Sequence, residues 1–186
     1  MRKILLILFS FSFLLIGCIV APYTRQYQPI SEWESQEFNR ANLNIYPNDV
    51  RKESNKYSDS TIAWVGIIKD SKIKTDENGV EIELLLEHHY YSWIEDFSIQ
   101  QEKMFLSPKG EGFFRTSWFL KKDTNLEQLK ASSEMDDLAI VYGNPEKLLE
   151  DSTIIIKSTY IRNIGKKWYR TDMMDYGRDE INTYKE

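Results

Sequence analysis

The clearest pattern in the chain is a strict alternation of positions in the middle of the sequence. From Val80 to Tyr90 every second residue is apolar or aromatic except His88, and the positions between them are largely acidic. A period of two is typical of a β-strand that buries one face and exposes the other. The tetrapeptide at residues 76–79, Asp-Glu-Asn-Gly, predicts a hairpin turn before this strand, because Asn-Gly accepts the positive φ angles of a type I′ turn.

Four further segments have the composition of main strands. Residues 62–68 are apolar at positions facing both sides, which favours a strand buried on both faces, and Gly66 within them indicates a bulge or a tight coiling point. The other three segments are residues 113–120, 138–142 and 153–162. The stretch 92–112 is predicted as a long connection with one short strand at residues 103–106, closed by a turn rich in Gly and Pro.

Two short helices are predicted from capping boxes, in which a Ser or Thr is followed three residues later by Glu. Ser31 and Glu34 indicate one helix between residues 32 and 44. Thr124 and Glu127 indicate the other, between residues 124 and 132. The second helix falls between the third and the fourth main strand.

The resulting order of three strands, a short helix and two strands resembles the OB-fold, a five-stranded Greek-key barrel. The segment Met135-Asp136-Asp137-Leu138-Ala139-Ile140-Val141-Tyr142-Gly143, followed by an apolar strand at residues 154–161, is similar to the acidic turn, strand, glycine and closing strand of many OB domains. We therefore predict a mainly β chain that forms a small antiparallel OB-like Greek-key barrel with one short helix. An antiparallel β-sandwich predicts much the same strands and stays the alternative.

The first eighteen residues have the order of a secretory signal peptide. Arg2 and Lys3 give a positive start, and an apolar run interrupted only by two serines leads to Gly17 and to the only cysteine, Cys18. A membrane-spanning helix is disfavoured, because it needs about 20 apolar residues and this run is shorter. The sequence therefore predicts an exported protein.

Leu15-Ile16-Gly17-Cys18 resembles the lipobox of bacterial lipoproteins at all four positions. The resemblance implies that residues 1–17 are removed and that Cys18 carries a diacylglycerol on sulfur and often a further acyl chain, such as palmitate, on nitrogen. Two or more acyl chains give stable membrane anchoring. Ile19 rather than Asp follows Cys18, which under enterobacterial sorting rules implies the outer membrane.

A second resemblance is to the starvation-inducible outer-membrane lipoproteins, the Slp family. It is carried by Cys18 and residues 46–86, and above all by the strand Ile62-Ala63-Trp64-Val65-Gly66-Ile67-Ile68. The second half of the chain departs from that family, notably at residues 87–96. The resemblance implies a location in the cell envelope and a fold rather than an activity.

Charge and length limit the domains and the partners. Without Arg2 and Lys3 the chain has 22 basic against 29 acidic residues, a net charge of −7. Such a surplus disfavours electrostatic binding to nucleic acid and to anionic lipid surfaces, so the sequence predicts no nucleic-acid partner. The predicted organisation is a signal peptide at residues 1–17; the lipidated cysteine, a tether and a short helix at 18–60; the barrel domain at 61–170; and a polar tail at 171–186.

One cluster has the residue types that catalysis or metal binding requires. It is Glu87-His88-His89-Tyr90-Tyr91, with Glu95 and Asp96 shortly after it. Neighbouring side chains of a strand point to opposite faces, so the simplest interpretation places His88 in the core and His89 in solvent. Glu87 and His89 share a face, and Glu95 or Asp96 folding back would complete a zinc site. Because no third well-spaced ligand or nucleophile is evident, we expect no catalytic residue, resident metal or cofactor.

Aromatic residues are crowded at the exit of the same strand, where OB-like barrels often bind ligands. Packing beneath the following loop is the simpler interpretation of these residues, and ligand binding is the functional one. The predicted ligand-binding residues are Glu87, His89, Tyr91 and Trp93. The function that we expect is that of a non-enzymatic, lipid-anchored envelope protein, which presents a β-barrel to a protein or a small ligand. Its expected partners are the membrane, through Cys18, and an envelope protein. The alternative is a metal-dependent hydrolase that uses residues 87–96.

Overall fold

A computed structural model describes residues 27–75, 77, 79–96, 101–121, 133–166 and 169–171. Helices α1 (Glu32–Arg40), α2 (Pro47–Lys52) and α3 (Ser54–Tyr57) come first in this part of the chain. They are followed by strands β1 (Ile62–Thr75), β2 (Gly79–His88), β3 (Tyr91–Asp96), β4 (Gln101–Leu106), β5 (Phe113–Lys121), β6 (Leu138–Leu148), β7 (Ile154–Asn163) and β8 (Tyr169–Thr171). The predicted signal peptide, Cys18, the predicted helix at 124–132 and residues 172–186 of the predicted tail lie outside the described residues.

Five strands form a closed barrel in the order β1-β2-β5-β7-β6. The first three barrel strands, β1, β2 and β5, pair in the order in which they occur in the chain, and β6 returns to lie beside β1, which is the Greek-key arrangement. Every barrel pair is antiparallel except β5 with β7, which is parallel. The predicted fold class, a mainly β chain with an OB-like Greek-key barrel, is thereby confirmed, and the sandwich is not formed.

The alternating pattern of β2 has its predicted effect. Val80, Ile82, Leu84, Leu86 and His88 are buried, and the positions between them are half-buried. A strand with this pattern can turn only one face to the interior of a barrel, so its register against the two neighbouring strands is fixed.

The bulge in β1 lies at Lys69, three residues after Gly66, where the sequence predicted it. The pairing with β2 shifts between Ile68 and Asp70, which makes Lys69 the extra residue. Gly66 instead provides space, because a Cβ atom there would lie 2.9 Å from the Cβ of Leu86 and 3.0 Å from the ring of Phe114. Two large side chains therefore fill the barrel interior beside Gly66.

Strand β6 is longer than predicted. The prediction ended it at Tyr142, before Asn144 and Pro145, but the pairing with β7 continues to Leu148. A proline cannot donate a backbone hydrogen bond and is tolerated in strands next to a bulge. Here the register shifts directly after Pro145, which explains why the strand runs through it.

A second, three-stranded sheet has the order β3-β4-β8. Strands β3 and β4 form an antiparallel hairpin between the second and third barrel strands, and β8 pairs with β4 in parallel. The prediction of a long connection over residues 92–112 with one short strand at 103–106 was therefore wrong for residues 92–96, which belong to β3. Strand β4 contains the predicted segment but begins two residues earlier.

The buried side chains form two hydrophobic cores that share β1 and β6. The first fills the barrel and includes Trp64, Ile68 and Phe114. The second covers the outer face of the same two strands, where Val65 and Ile67 meet side chains from α1, β3, β4 and β8. This arrangement explains why residues 62–68 are apolar on both faces.

The described residues before β1 are packed onto the barrel. Ile45 and Val50 belong to the barrel core, and the indole Nε1 of Trp64 donates to the carbonyl oxygen of Ile45 at 2.8 Å. The folded part of the chain therefore begins well before residue 61, where the predicted domain started. Among the described residues, no helix has the length and apolar character to cross a membrane.

The predicted helix after Ser31 is confirmed as α1, with Ser31 Oγ accepting from the backbone N–H of Glu34 at 3.1 Å. Glu34 itself is 0 % exposed and does more than the capping box predicts. Its carboxylate accepts hydrogen bonds from the hydroxyls of Tyr27 and Tyr142, and Arg162 Nη1 lies 3.5 Å away. A buried network of polar groups thus joins α1 to β6 and β7.

Candidate functional site

A cleft of about 590 Å³ opens where β2 ends. One wall is the segment 107–112, called here the 107–112 loop, and another is the start of α2. The residues that line the cleft are Asn48, Glu87, His88, Tyr90, Pro108, Lys109, Gly110, Glu111 and Gly112. The end of β2, where the sequence places its candidate residues, is thus the wall of a concave polar site.

Glu111 connects the walls of the cleft, although the sequence analysis did not select it. Its carboxylate accepts from the Tyr90 hydroxyl and, at 2.7 Å, from the backbone N–H of Asn48. Its own backbone N–H donates to His88 Nδ1 at 3.2 Å, and its carbonyl oxygen accepts from Arg51 Nη1 at 2.7 Å. A buried carboxylate is tolerated here because its oxygens have hydrogen-bond donors.

Arg51 fixes the same loop from the side of α2. Besides its bond to Glu111, its Nε donates to the carbonyl oxygen of Ser152 at 2.9 Å and its Nη2 to that of Phe113 at 3.3 Å. The planar guanidinium carries several donors in a fixed arrangement. One side chain therefore ties α2 to the 107–112 loop and to the turn between β6 and β7.

His88 is a buried, neutral ring. Its Nδ1 accepts from the backbone of Glu111, so the proton of the neutral ring is on Nε2. The rings of Tyr46, Trp64 and Tyr90 pack against it edge to face, with centroids 5.3–6.2 Å away. Burial, helped by the charges of His89 and Arg51, lowers the pKa of His88 to about 3. The prediction of a core-facing His88 is confirmed.

His89 is also buried, with 8 % of its surface exposed, so the prediction that it faces solvent was wrong. Strand β2 ends at His88, and the chain turns His89 inwards, where its Nδ1 lies 2.9 Å from the carbonyl oxygen of Ser107. A carbonyl oxygen only accepts, so Nδ1 carries the proton. The Nδ1 atom thus accepts a hydrogen bond in His88 and donates one in His89.

The Nε2 atom of His89 is buried without a hydrogen-bond partner among the described residues. It lies 3.7 Å from Glu87 Oε2, which also binds Lys69 Nζ at 2.8 Å. Partial burial raises the pKa of Glu87. Lys69 and His89 lower it by more than burial raises it, so the pKa of Glu87 is below its usual value. Glu87 is therefore a carboxylate at neutral pH. The two predicted residues lie side by side, as their shared strand face implied.

Tyr91 and Trp93, the other two candidates, are in β3. Of the four candidates only Glu87 is among the described residues that line the cleft, and His89 lies beside it. Tyr91 pairs with Leu106 and packs against the outer core, where burial, together with Tyr46, raises its pKa to about 12. Trp93 pairs with Met104 in the backbone ladder; its side chain is outside the described part. Of the four candidates, the structure brings together Glu87 and His89.

The described residues do not assemble the predicted zinc site. Within the part of the chain that the structure describes, no three His, Cys, Asp or Glu side chains lie close enough to hold a metal ion. The side chains of Glu95 and Asp96, proposed as additional ligands, are outside that part. The polar groups of the cleft, above all Glu111, are each held by hydrogen bonds to the rest of the protein. Such fixed groups suit the binding of a ligand in one orientation, because the protein side chains lose little motion when the ligand binds.

No protein-family model and no curated protein matches the chain. The resemblance to the Slp family therefore stays a prediction from the sequence. Among solved structures, a small single-stranded DNA-binding protein from Streptomyces coelicolor is similar, with a TM-score of 0.35 and 14% sequence identity. The similarity covers 55% of this chain and 90% of that protein.

The prediction that excluded nucleic acid from the partners is corrected by this comparison. The similar structure is that of a protein that binds single-stranded DNA. The exclusion rested on net charge, which is a sum over the whole chain and does not determine the charge of one surface. It was wrong as an exclusion and is withdrawn; at this identity and TM-score, DNA binding is a property of that protein only.

Proposed function

We propose that this chain is a lipid-anchored protein of the bacterial cell envelope, in the outer membrane, whose OB-like barrel binds a ligand at the cleft beside β2. The proposal assigns it no enzymatic activity. The observation that carries the binding role is the cleft itself, whose walls are joined by the hydrogen bonds of Glu111. Anchoring rests on the lipobox that ends at Cys18.

Anchoring is tested by labelling cells with palmitate. The native chain is expected to incorporate label and to fractionate with membranes, and Cys18→Ala to do neither, because no other cysteine is present. Ser12→Ala, a change inside the apolar run, is the matched control and should leave labelling intact. Label in the Cys18→Ala protein would contradict the proposal.

The binding role is tested by photo-crosslinking in intact cells. Benzoylphenylalanine placed at Lys109, an exposed residue of the cleft, is expected to give a discrete adduct. The same group at Lys157, exposed on β7 and not among the residues of the cleft, is the control. An adduct that forms equally at both positions, or at neither, would count against a ligand site at the cleft.

One observation favours the metal-dependent alternative, namely the unpartnered Nε2 of His89 beside the Glu87 carboxylate. Imidazole nitrogen and carboxylate oxygen are both ligands of zinc. Calorimetric titration with zinc separates the two functions. The alternative requires heat that disappears in His89→Ala, whereas the preferred function requires none above the buffer.

A further inference from the structure

Two large apolar side chains, one just before the start of α1 and one in its first turn, are left uncovered by the barrel. Ile30 is 70% and Trp33 is 61% exposed, the two highest values among the large hydrophobic side chains described. We call this pair the α1 patch. Single exposed apolar residues are normal on protein surfaces. A functional role for this pair is therefore argued from its distance to the proposed anchor at Cys18.

Tyr27 fixes the distance between the anchor and the barrel. Its side chain is buried, and its hydroxyl is hydrogen-bonded to Glu34 and Arg162. Tyr27 is nine positions after Cys18, and nine residue steps span at most about 32 Å when the chain is fully extended. A membrane that holds Cys18 is therefore never farther than this from Tyr27, and the α1 patch begins three residues after it.

The composition of this end of α1 suits the membrane interface. Tryptophan concentrates at the level of lipid headgroups, where its ring is partly in the apolar region and its N–H is in a polar one. Glu32 is the only charged residue between positions 27 and 33. The exposed Phe119 has different surroundings, because it pairs with Glu81 on the outer face of the barrel.

We propose that the α1 patch inserts Ile30 and Trp33 among the phospholipid headgroups and holds the barrel on the membrane surface in one orientation. This inference rests on the proposed anchoring at Cys18. The tether alone keeps the barrel near the bilayer, and the α1 patch determines which side of the barrel faces it.

The test uses the chain from Cys18 to Glu186, coupled through its only thiol to a maleimide phospholipid. The vesicles contain phosphatidylethanolamine and phosphatidylglycerol, with or without brominated acyl chains that quench tryptophan. The emission of Trp33 is obtained by subtracting the fluorescence spectrum of Trp33→Phe from that of the native chain. We expect coupling to shift this emission to shorter wavelength and brominated lipid to remove most of it.

The matched control moves the reporter to another exposed aromatic position. Phe119→Trp in the Trp33→Phe background is expected to keep its emission in brominated vesicles. The proposal is overturned when the native chain and Trp33→Phe lose the same fraction of emission, or when the tryptophan at position 119 is quenched as strongly as Trp33. A blue shift of Trp33 that depends on protein concentration before coupling also overturns it, because a second copy of the chain then covers the α1 patch.

Chemical coupling makes this result independent of lipidation in the cell. Absence of palmitate label from the native chain in the earlier experiment would refute the anchoring and leave the quenching unchanged. Absence of quenching in coupled protein would refute the orientation and leave the anchoring unaffected.

Discussion

Replacing Glu34 with alanine should destabilise the protein far more than the loss of a helix cap. The carboxylate is completely buried and accepts from Tyr27, Tyr142 and the backbone N–H of Ile30, the last at 2.8 Å. Burial, together with Glu34, raises the pKa of both tyrosines, so their hydroxyls are protonated donors. The substitution removes the acceptor of all three donors.

The magnitude follows from what is left behind. Each buried donor without an acceptor costs about 1–3 kcal/mol, and breaking a buried ion pair such as that with Arg162 costs about 3–5 kcal/mol in total. Because the two tyrosines, Arg162 and the part-buried N–H of Ile30 all surround one carboxylate, these costs overlap, and we expect a loss of about 3–5 kcal/mol. A residue that only caps the helix is worth about 1 kcal/mol. For a chain of this size the expected loss lowers Tm by about 6–20 °C.

The assay is urea unfolding at neutral pH of the Cys18→Ser chain, followed by circular dichroism and tryptophan fluorescence. Glu32→Ala is the matched control, since Glu32 lies in the same first turn of α1 but is exposed; it should cost less than about 1 kcal/mol. The reasoning is refuted when Glu34→Ala costs no more than Glu32→Ala.

Three further predictions concern the barrel and its cleft. His88 has a pKa of about 3 in the folded chain against 6.5 when unfolded, so the unfolded state binds the extra proton between these values. Stability should therefore fall by up to about 1.4 kcal/mol per pH unit below about pH 6.5; urea midpoints of His88→Phe should show a shallower fall, and equal slopes would contradict this. Gly110→Ala should distort the cleft and abolish the Lys109 adduct, because its Cβ would overlap the carbonyl oxygen of His88; a normal adduct would show that the loop adapts. Trp64→Phe should cost about 1–3 kcal/mol in the same urea assay, because a buried carbonyl loses its donor; a neutral effect would mean that the carbonyl finds another donor.

The barrel could be predicted because its strands carry strong periodic signals. Alternation from Val80 to Tyr90 fixes one strand and its buried face, and apolar residues on both faces mark β1. Strand β3 was missed because its sequence, Tyr-Ser-Trp-Ile-Glu-Asp, follows two buried histidines without a turn signal. Asn144 and Pro145 predict a strand end that β6 does not have, because a bulge that tolerates proline has no signature in the sequence.

The candidate site was only half predictable for a similar reason. Glu87 and His89 were found because the alternating pattern places residues two positions apart on one face, and the two side chains stay adjacent although β2 ends at His88. Glu111 is a single acidic residue between two glycines, and its partners at Asn48 and Arg51 are about 60 positions away in the chain. The only local signal is the pair of glycines on either side of Glu111, which let the loop pass close to the backbone of His88 and to the side chain of Arg51.

The two cores that share β1 and β6 have a consequence for how the protein unfolds. The small sheet and α1 cover Val65 and Ile67, whereas the barrel encloses Trp64 and Ile68 on the opposite face of the same strand. Neither layer can separate without exposing one side of a strand that the other layer needs intact. The barrel and its outer layer should thus unfold as one cooperative unit, so that a destabilising substitution on either face of β1 lowers the stability of both.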